Sequence, residues 1–147
     1  DIGDAEVLIF GMGLLGEAAY DQLKNEYGQK VLALDYNPDT VEYHRKLGRN
    51  IIQDDATDIE FWERVTMMQK EKKQIKLVML CMDDHKSNRF AIKELKAINY
   101  NGKIAATARH EDDIRDLKKL GVDSAYNIFA EAGSGLADHI CKTFSED

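Results

Sequence analysis

One proline, two cysteines and no hydrophobic run of bilayer length set the first limits on this chain of 147 residues. Without a Pro- or Ser-rich linker or a break in composition, it reads as one domain, 1–147, long enough to bury a full core without disulfides or a structural metal. No apolar stretch nears the ~20 residues that span a bilayer as a helix, and no charged-then-apolar leader is readable. The cysteines, Cys81 and Cys141, lie far apart and lack C-x-x-C spacing, which is the usage of a reduced, cytoplasmic chain. His44, His85, His110 and His139 show no paired ligand spacing, so no metal site is assigned. Positive charge is short as well: 20 Lys and Arg against 27 Asp and Glu leave a net charge of -7. That excludes a nucleic-acid backbone as partner, because phosphate contacts need clustered cations. The only basic cluster, Lys70, Lys72, Lys73 and Lys76, is broken by Glu71 and centres on MQKEKKQ (68–74), which lacks an apolar face and reads as a surface loop. The chain begins at Asp1 rather than Met, as expected of a piece cut from a longer protein.

What the chain does have is alternation. EVLIF (6–10), KVLALD (30–35), NII (50–52), IKLVMLCM (75–82), KIAATA (103–108) and SAYNIF (124–129) are short β-like runs. Helix-length amphipathic segments separate them. Asn37 and Pro38 suit a helix start that ends near Gly48; Asp83-Asp84 opens a long helix to about Asn99. Residues 111 to 120 form a helix stopped by Gly121, and the last helix runs from about Glu131 to Phe144. Six strands alternating with helices predict an α/β, Rossmann-like, doubly wound parallel sheet with helices on both faces. The two halves of such a fold use up the chain, and no substrate domain remains.

Between the first strand and the first helix stands IFGMGLLGEAAY (9–20). In that context Gly11 permits a tight turn, Gly13 lets backbone approach a phosphate, and Gly16 lets helix and strand pack closely. The helix start supplies free N–H groups and the positive dipole end. Asp35 ends the second strand at the position where a carboxylate accepts from ribose hydroxyls and repels a 2′-phosphate. After the third strand, DDATD (54–58) falls at the carboxyl edge of the sheet, near an adenine; it also suits a helix start capped by Thr57 or Asp58.

FGMGLLG, LDYNP, DDATD, MDDHKSN, ATARHEDD and LGVD together resemble the nucleotide-binding domains that regulate potassium transport, the KTN or RCK (TrkA-N) domains. Among them the chain is most similar to the cytosolic domain of Kef-type, glutathione-regulated potassium efflux proteins. The resemblance implies a regulatory domain, not an enzyme, that binds AMP or NAD(H) and pairs as a homodimer. It implies fusion to or association with a transmembrane potassium transporter of the bacterial inner membrane. The positions it points to for the nucleotide are Gly11, Met12, Gly13, Leu14, Leu15, Gly16, Asp35, Tyr36, Asn37, Asp55, Ala56 and Thr57, with Cys81, Met82 and Arg109 at the ends of the fourth and fifth strands. The interface and any glutathione-like effector fall to Asn88, Arg89, Phe90 and Arg109. Glutathione-responsive members tend to carry a second Arg where this chain has Thr107.

Several features have plainer readings. Tyr20 and Lys24 match Y-x-x-x-K, yet lie on the first helix, with the wrong orientation for a reductase pair. Cys81 is either a redox-responsive thiol or a small buried hydrophobe, and Met79, Met82 and Trp62 suit core packing. The rival function is the cofactor domain of a small NAD-dependent oxidoreductase, which needs an acid–base residue near the nicotinamide; only His110 and Arg109 end a late strand. The sequence therefore favours a cradle that reports over one that reacts.

Overall fold

The computed structural model describes residues 2–71 and 74–145. The apolar runs become six parallel strands: β1 (Val7–Phe10), β2 (Val31–Asp35), β3 (Ile51–Gln53), β4 (Leu77–Leu80), β5 (Lys103–Ala108) and β6 (Ser124–Asn127). Their order is β3-β2-β1-β4-β5-β6, every neighbour parallel. Between and after them run α1 (Leu14–Tyr27), α2 (Pro38–Lys46), α3 (Ile59–Lys70), α4 (His85–Ala97), α5 (Glu111–Lys119) and α6 (Ile128–Ser145). The Rossmann-like sheet expected from the alternation is the one observed.

Side chains alternate across each strand and feed two cores. Val7, Ile9, Val31, Ala33 and Ile51 meet Tyr20 of α1 and Val41 of α2 on one face. Leu8, Phe10, Leu34, Val78 and Leu80 meet Trp62 of α3, Ile92 and Leu95 of α4 and Leu117 of α5 on the other. β1 and β4 are neighbours whose following helices leave toward opposite faces. Their carboxyl ends therefore part to form the crevice at the switch point of the sheet.

Three boundaries differ from the sequence reading. The segment 68–74 is not all loop, because α3 continues to Lys70 and Met68 packs against the core; Lys72 and Lys73 lie outside the described residues. β4 is limited to Leu77–Leu80, since Cys81 and Met82 belong to the crevice rim. β6 stops at Asn127, whose Oδ1 accepts from Ala130 N–H at 3.0 Å, so Ile128 and Phe129 start α6 instead of ending a strand. Tyr20 is buried at 2% exposure, and its hydroxyl accepts from Asn50 N–H at 2.8 Å, a packing role in place of the reductase pattern.

Candidate functional site

The glycine turn leaves β1 and enters α1 at the mouth of the crevice. Gly11 adopts φ +92, and a Cβ there would sit 2.7 Å from the Cys81 carbonyl oxygen. A Cβ on Gly16 would collide with the Gly11 carbonyl oxygen. Both are required by the fold itself. Gly13 differs: its φ of -75 and ψ of -162 suit any residue, and a Cβ there would meet nothing within 4 Å. It opens into both lobes of the crevice. Gly13 also starts α1 without a side-chain cap, whereas Asn37, Asp58 and Asp84 cap α2, α3 and α4.

Asp35 is set by the end of β2. Its Oδ2 accepts from Met12 N–H at 2.9 Å and its Oδ1 from Asn37 N–H at 2.9 Å, which fixes the carboxylate beside the turn. Around it lies the smaller lobe, a cavity of about 180 Å³ lined by Gly11, Gly13, Asp35, Tyr36, Asp55, Ala56, Cys81 and Met82. Tyr36 is 71% exposed there. Asp55 Oδ1 accepts from both Thr57 N–H (2.8 Å) and Thr57 hydroxyl (2.7 Å), and Trp62 donates to the Ala56 carbonyl at 2.8 Å. Thus DDATD is a built turn locked onto the core, and Asp58 rather than Thr57 caps α3. Met12, Asn37 and Thr57 line neither lobe; their N–H groups hold the Asp35 and Asp55 carboxylates.

The larger lobe, about 470 Å³, lies over β4 and β5 and is lined by Gly13, Leu14, Leu15, Gly16, Met82, Asn88 and Arg109 among others. Leu14, at 89% exposure, and Phe129, at 62%, form its apolar rim. Arg109 reaches Asp83 at 2.8 Å on the exposed edge. Of the residues expected at an effector site or interface, Arg109 lines this lobe with an exposed head group, paired with Asp83. Asn88 is 1% exposed and spends its amide on Met82 N–H, Met82 O and Thr107 O, clamping the ends of β4 and β5. Arg89 is paired with Asp116, and Phe90 packs against the core. Thr107 is buried, its hydroxyl donating to Leu80 O at 3.3 Å. Burial pushes the Cys81 thiol up to about 12, which leaves almost no thiolate for redox chemistry. Among the described residues, no group of three His, Cys, Asp or Glu side chains is placed to hold a metal ion.

One residue of this site is not evident from the sequence. His44, in α2, is 2% exposed with Nε2 2.8 Å from the Met12 carbonyl oxygen. Only its position three residues after Val41, on the inward face of α2, hints at burial.

A model of the TrkA-N domain family matches residues 7–128. The glutathione-regulated potassium-efflux system protein KefC of Cronobacter sakazakii is 30% identical over 117 residues, 79% of this chain and 18% of KefC. This chain therefore spans less than a fifth of the curated relatives it matches. Among solved structures, the NAD(P)-binding domain of an exopolyphosphatase-related protein from Archaeoglobus fulgidus aligns with a TM-score of 0.76 at 17% identity, over 94% of this chain and 98% of that one. The Kef CTD of Shewanella denitrificans, in its AMP-bound form, aligns with a TM-score of 0.73 at 18% identity, over 94% and 80%.

Proposed function

The chain belongs to the TrkA-N domain family, and we propose that it is the adenine-nucleotide-sensing regulatory domain of a potassium efflux protein. It binds AMP or NAD(H) and does not transform it. Occupancy biases one of two arrangements of a homodimer and so gates a transmembrane transporter of the bacterial inner membrane, from its cytoplasmic side. The energy for gating can come only from different nucleotide affinities in the two arrangements. The adenosine belongs in the lobe beside Asp35, with the phosphate at the start of α1. Arg109 is the cation offered to a second anion, such as glutathione or an adduct. Asp83 beside it and the neutral Thr107 weaken that part of the site for an anion.

The observation that supports the reading most is Gly13. Unlike Gly11 and Gly16, it has no steric reason within the protein to lack a side chain, yet it stands where both lobes meet. Space for a phosphate supplies the reason. Calorimetric titration of AMP and NADH into the Gly13→Ala variant tests this. The variant should melt at the wild-type temperature and bind roughly tenfold or more weakly, because its methyl group displaces charge-assisted N–H contacts to phosphate. Equal affinity in the two proteins removes the assignment.

A further inference from the structure

Two peptide groups make the glycine turn, and each is held from outside it. In the first, Met12 N–H donates to Asp35, while the Gly11 carbonyl faces Gly16. In the second, the Met12 carbonyl lies 2.8 Å from His44 Nε2. The other ring nitrogen, Nδ1, is 3.1 Å from Arg49 Nη1. A guanidinium can only donate, so Nδ1 accepts and the ring proton sits on Nε2, donated to Met12 O. Arg49 is itself held by α1, through Asp21 at 2.9 Å and Glu17 at 3.0 Å.

This fixes the direction of one N–H group. None of the peptide bonds described is cis, and a trans peptide carries C=O and N–H on opposite edges. With the Met12 carbonyl drawn toward α2, the Gly13 N–H of the same peptide turns the other way, to the side where Gly13 lines both lobes. Were that peptide free to rotate, a carbonyl oxygen would face the phosphate instead.

We propose that His44 is a positioning residue of the phosphate cradle: by holding the Met12 carbonyl, it aims the Gly13 N–H at the phosphate of a bound nucleotide. The inference rests on the nucleotide reading above and adds a residue to it. A buried histidine that merely stabilised α2 would affect all ligands alike, whereas one that aims an N–H at phosphate affects phosphate binding alone. Adenosine and AMP make that distinction, since they differ only by the phosphate.

Both ligands are titrated into the wild-type protein and into His44→Leu and His44→Gln. In His44→Leu, AMP should bind roughly ten- to hundredfold more weakly while adenosine changes less than about threefold. In His44→Gln, whose amide can still donate to Met12 O, AMP affinity should stay within about threefold of wild type. Equal losses for AMP and adenosine in His44→Leu, or unchanged AMP affinity there, overturn the proposal. Should leucine unfold the domain, amide spectra of the wild-type protein decide: the Gly13 N–H resonance moves with AMP and not with adenosine, and its failure to move overturns the role. A wild-type protein that binds neither ligand removes the nucleotide reading itself, an outcome separate from these.

Discussion

Asp35 holds the glycine turn and lines the smaller lobe with one carboxylate. Its two oxygens already accept from Met12 and Asn37, and each keeps a further lone pair for a ribose hydroxyl. Replacement by Asn should therefore do two things. Its NH₂ must face one of the two backbone N–H groups, costing about 1–3 kcal/mol of stability. Loss of the charged acceptor should also weaken AMP and NADH roughly 10- to 100-fold. Thermal unfolding and calorimetry read the two effects separately, and unchanged values in both would refute the assignment. Asp35 was legible because its place after the glycines is itself a spacing pattern. His44 was not, because its partner is a carbonyl 32 positions away that only the fold brings near. Asn88 is expected at an interface or effector site, and the fold buries it beside the larger lobe. Nothing local announces that its amide bridges β4 to β5.

At the level of elements, side-chain caps made helix starts readable. Asn37, Asp58 and Asp84 each accept from the N–H two residues on, a contact that lies wholly within four residues of sequence. The end of α3, without such a local device, outran its expected stop; α6 began where a strand was expected to close, although Asn127 Oδ1 accepts from Ala130 N–H at its start. The join between α4 and α5 lay beyond reach for the same reason. There His85 and Arg89 of α4 converge on Asp116 of α5, with Arg89 Nε and His85 Nε2 each 2.8 Å from its Oδ2. Arg89 first, then His85, holds the Asp116 carboxyl below the usual carboxylate range. In the folded protein Asp116 thus stays ionised to lower pH than in the unfolded chain. The stability it adds is fully present above the unfolded pKa, near ~3.9, and is lost as pH falls through the folded value. The group is partly solvated, so Asp116→Asn should cost only about 0.5–1 kcal/mol at pH 7. Urea unfolding at several pH values checks this: the gap between variant and wild type should narrow as pH falls below the unfolded pKa, near ~3.9, and a gap independent of pH would contradict it.

Across the whole molecule, the sheet is covered unevenly. On the face that α1 and α2 cover over β1 to β3, Leu77 and Met79 of β4 and Ala105 of β5 are only half-buried, and Tyr126 of β6 is 44% exposed. These residues share that face by register: Ile9 lies beside Met79, Met79 beside Ala105, and Thr107 beside Tyr126. Meanwhile α6 projects with residues 131–145 all exposed, yet Phe129, Leu136, Ile140 and Phe144 recur at helical spacing along one side. A bare apolar sheet face and a bare apolar helix stripe in one chain suit a symmetric pair of copies, each supplying what the other leaves uncovered. This moves the expected interface from α4 to α6. It also changes the test, because Phe90→Asp would damage the core that Phe90 packs against. Leu136, at 64% exposure, touches neither lobe and can be altered without harm to the fold. Each buried leucine contributes about 1.5–3 kcal/mol. A symmetric pair loses two of them in Leu136→Asp and gains two carboxylates at an apolar seam, so dimer affinity should fall at least about a hundredfold. Sedimentation should then show a dimer for the wild-type chain and a monomer for the variant at the same concentration, with equal AMP affinity and melting temperature. A wild-type monomer at high micromolar concentration with AMP present would exclude the pairing. A dimer unaffected by Leu136→Asp would place it on another surface.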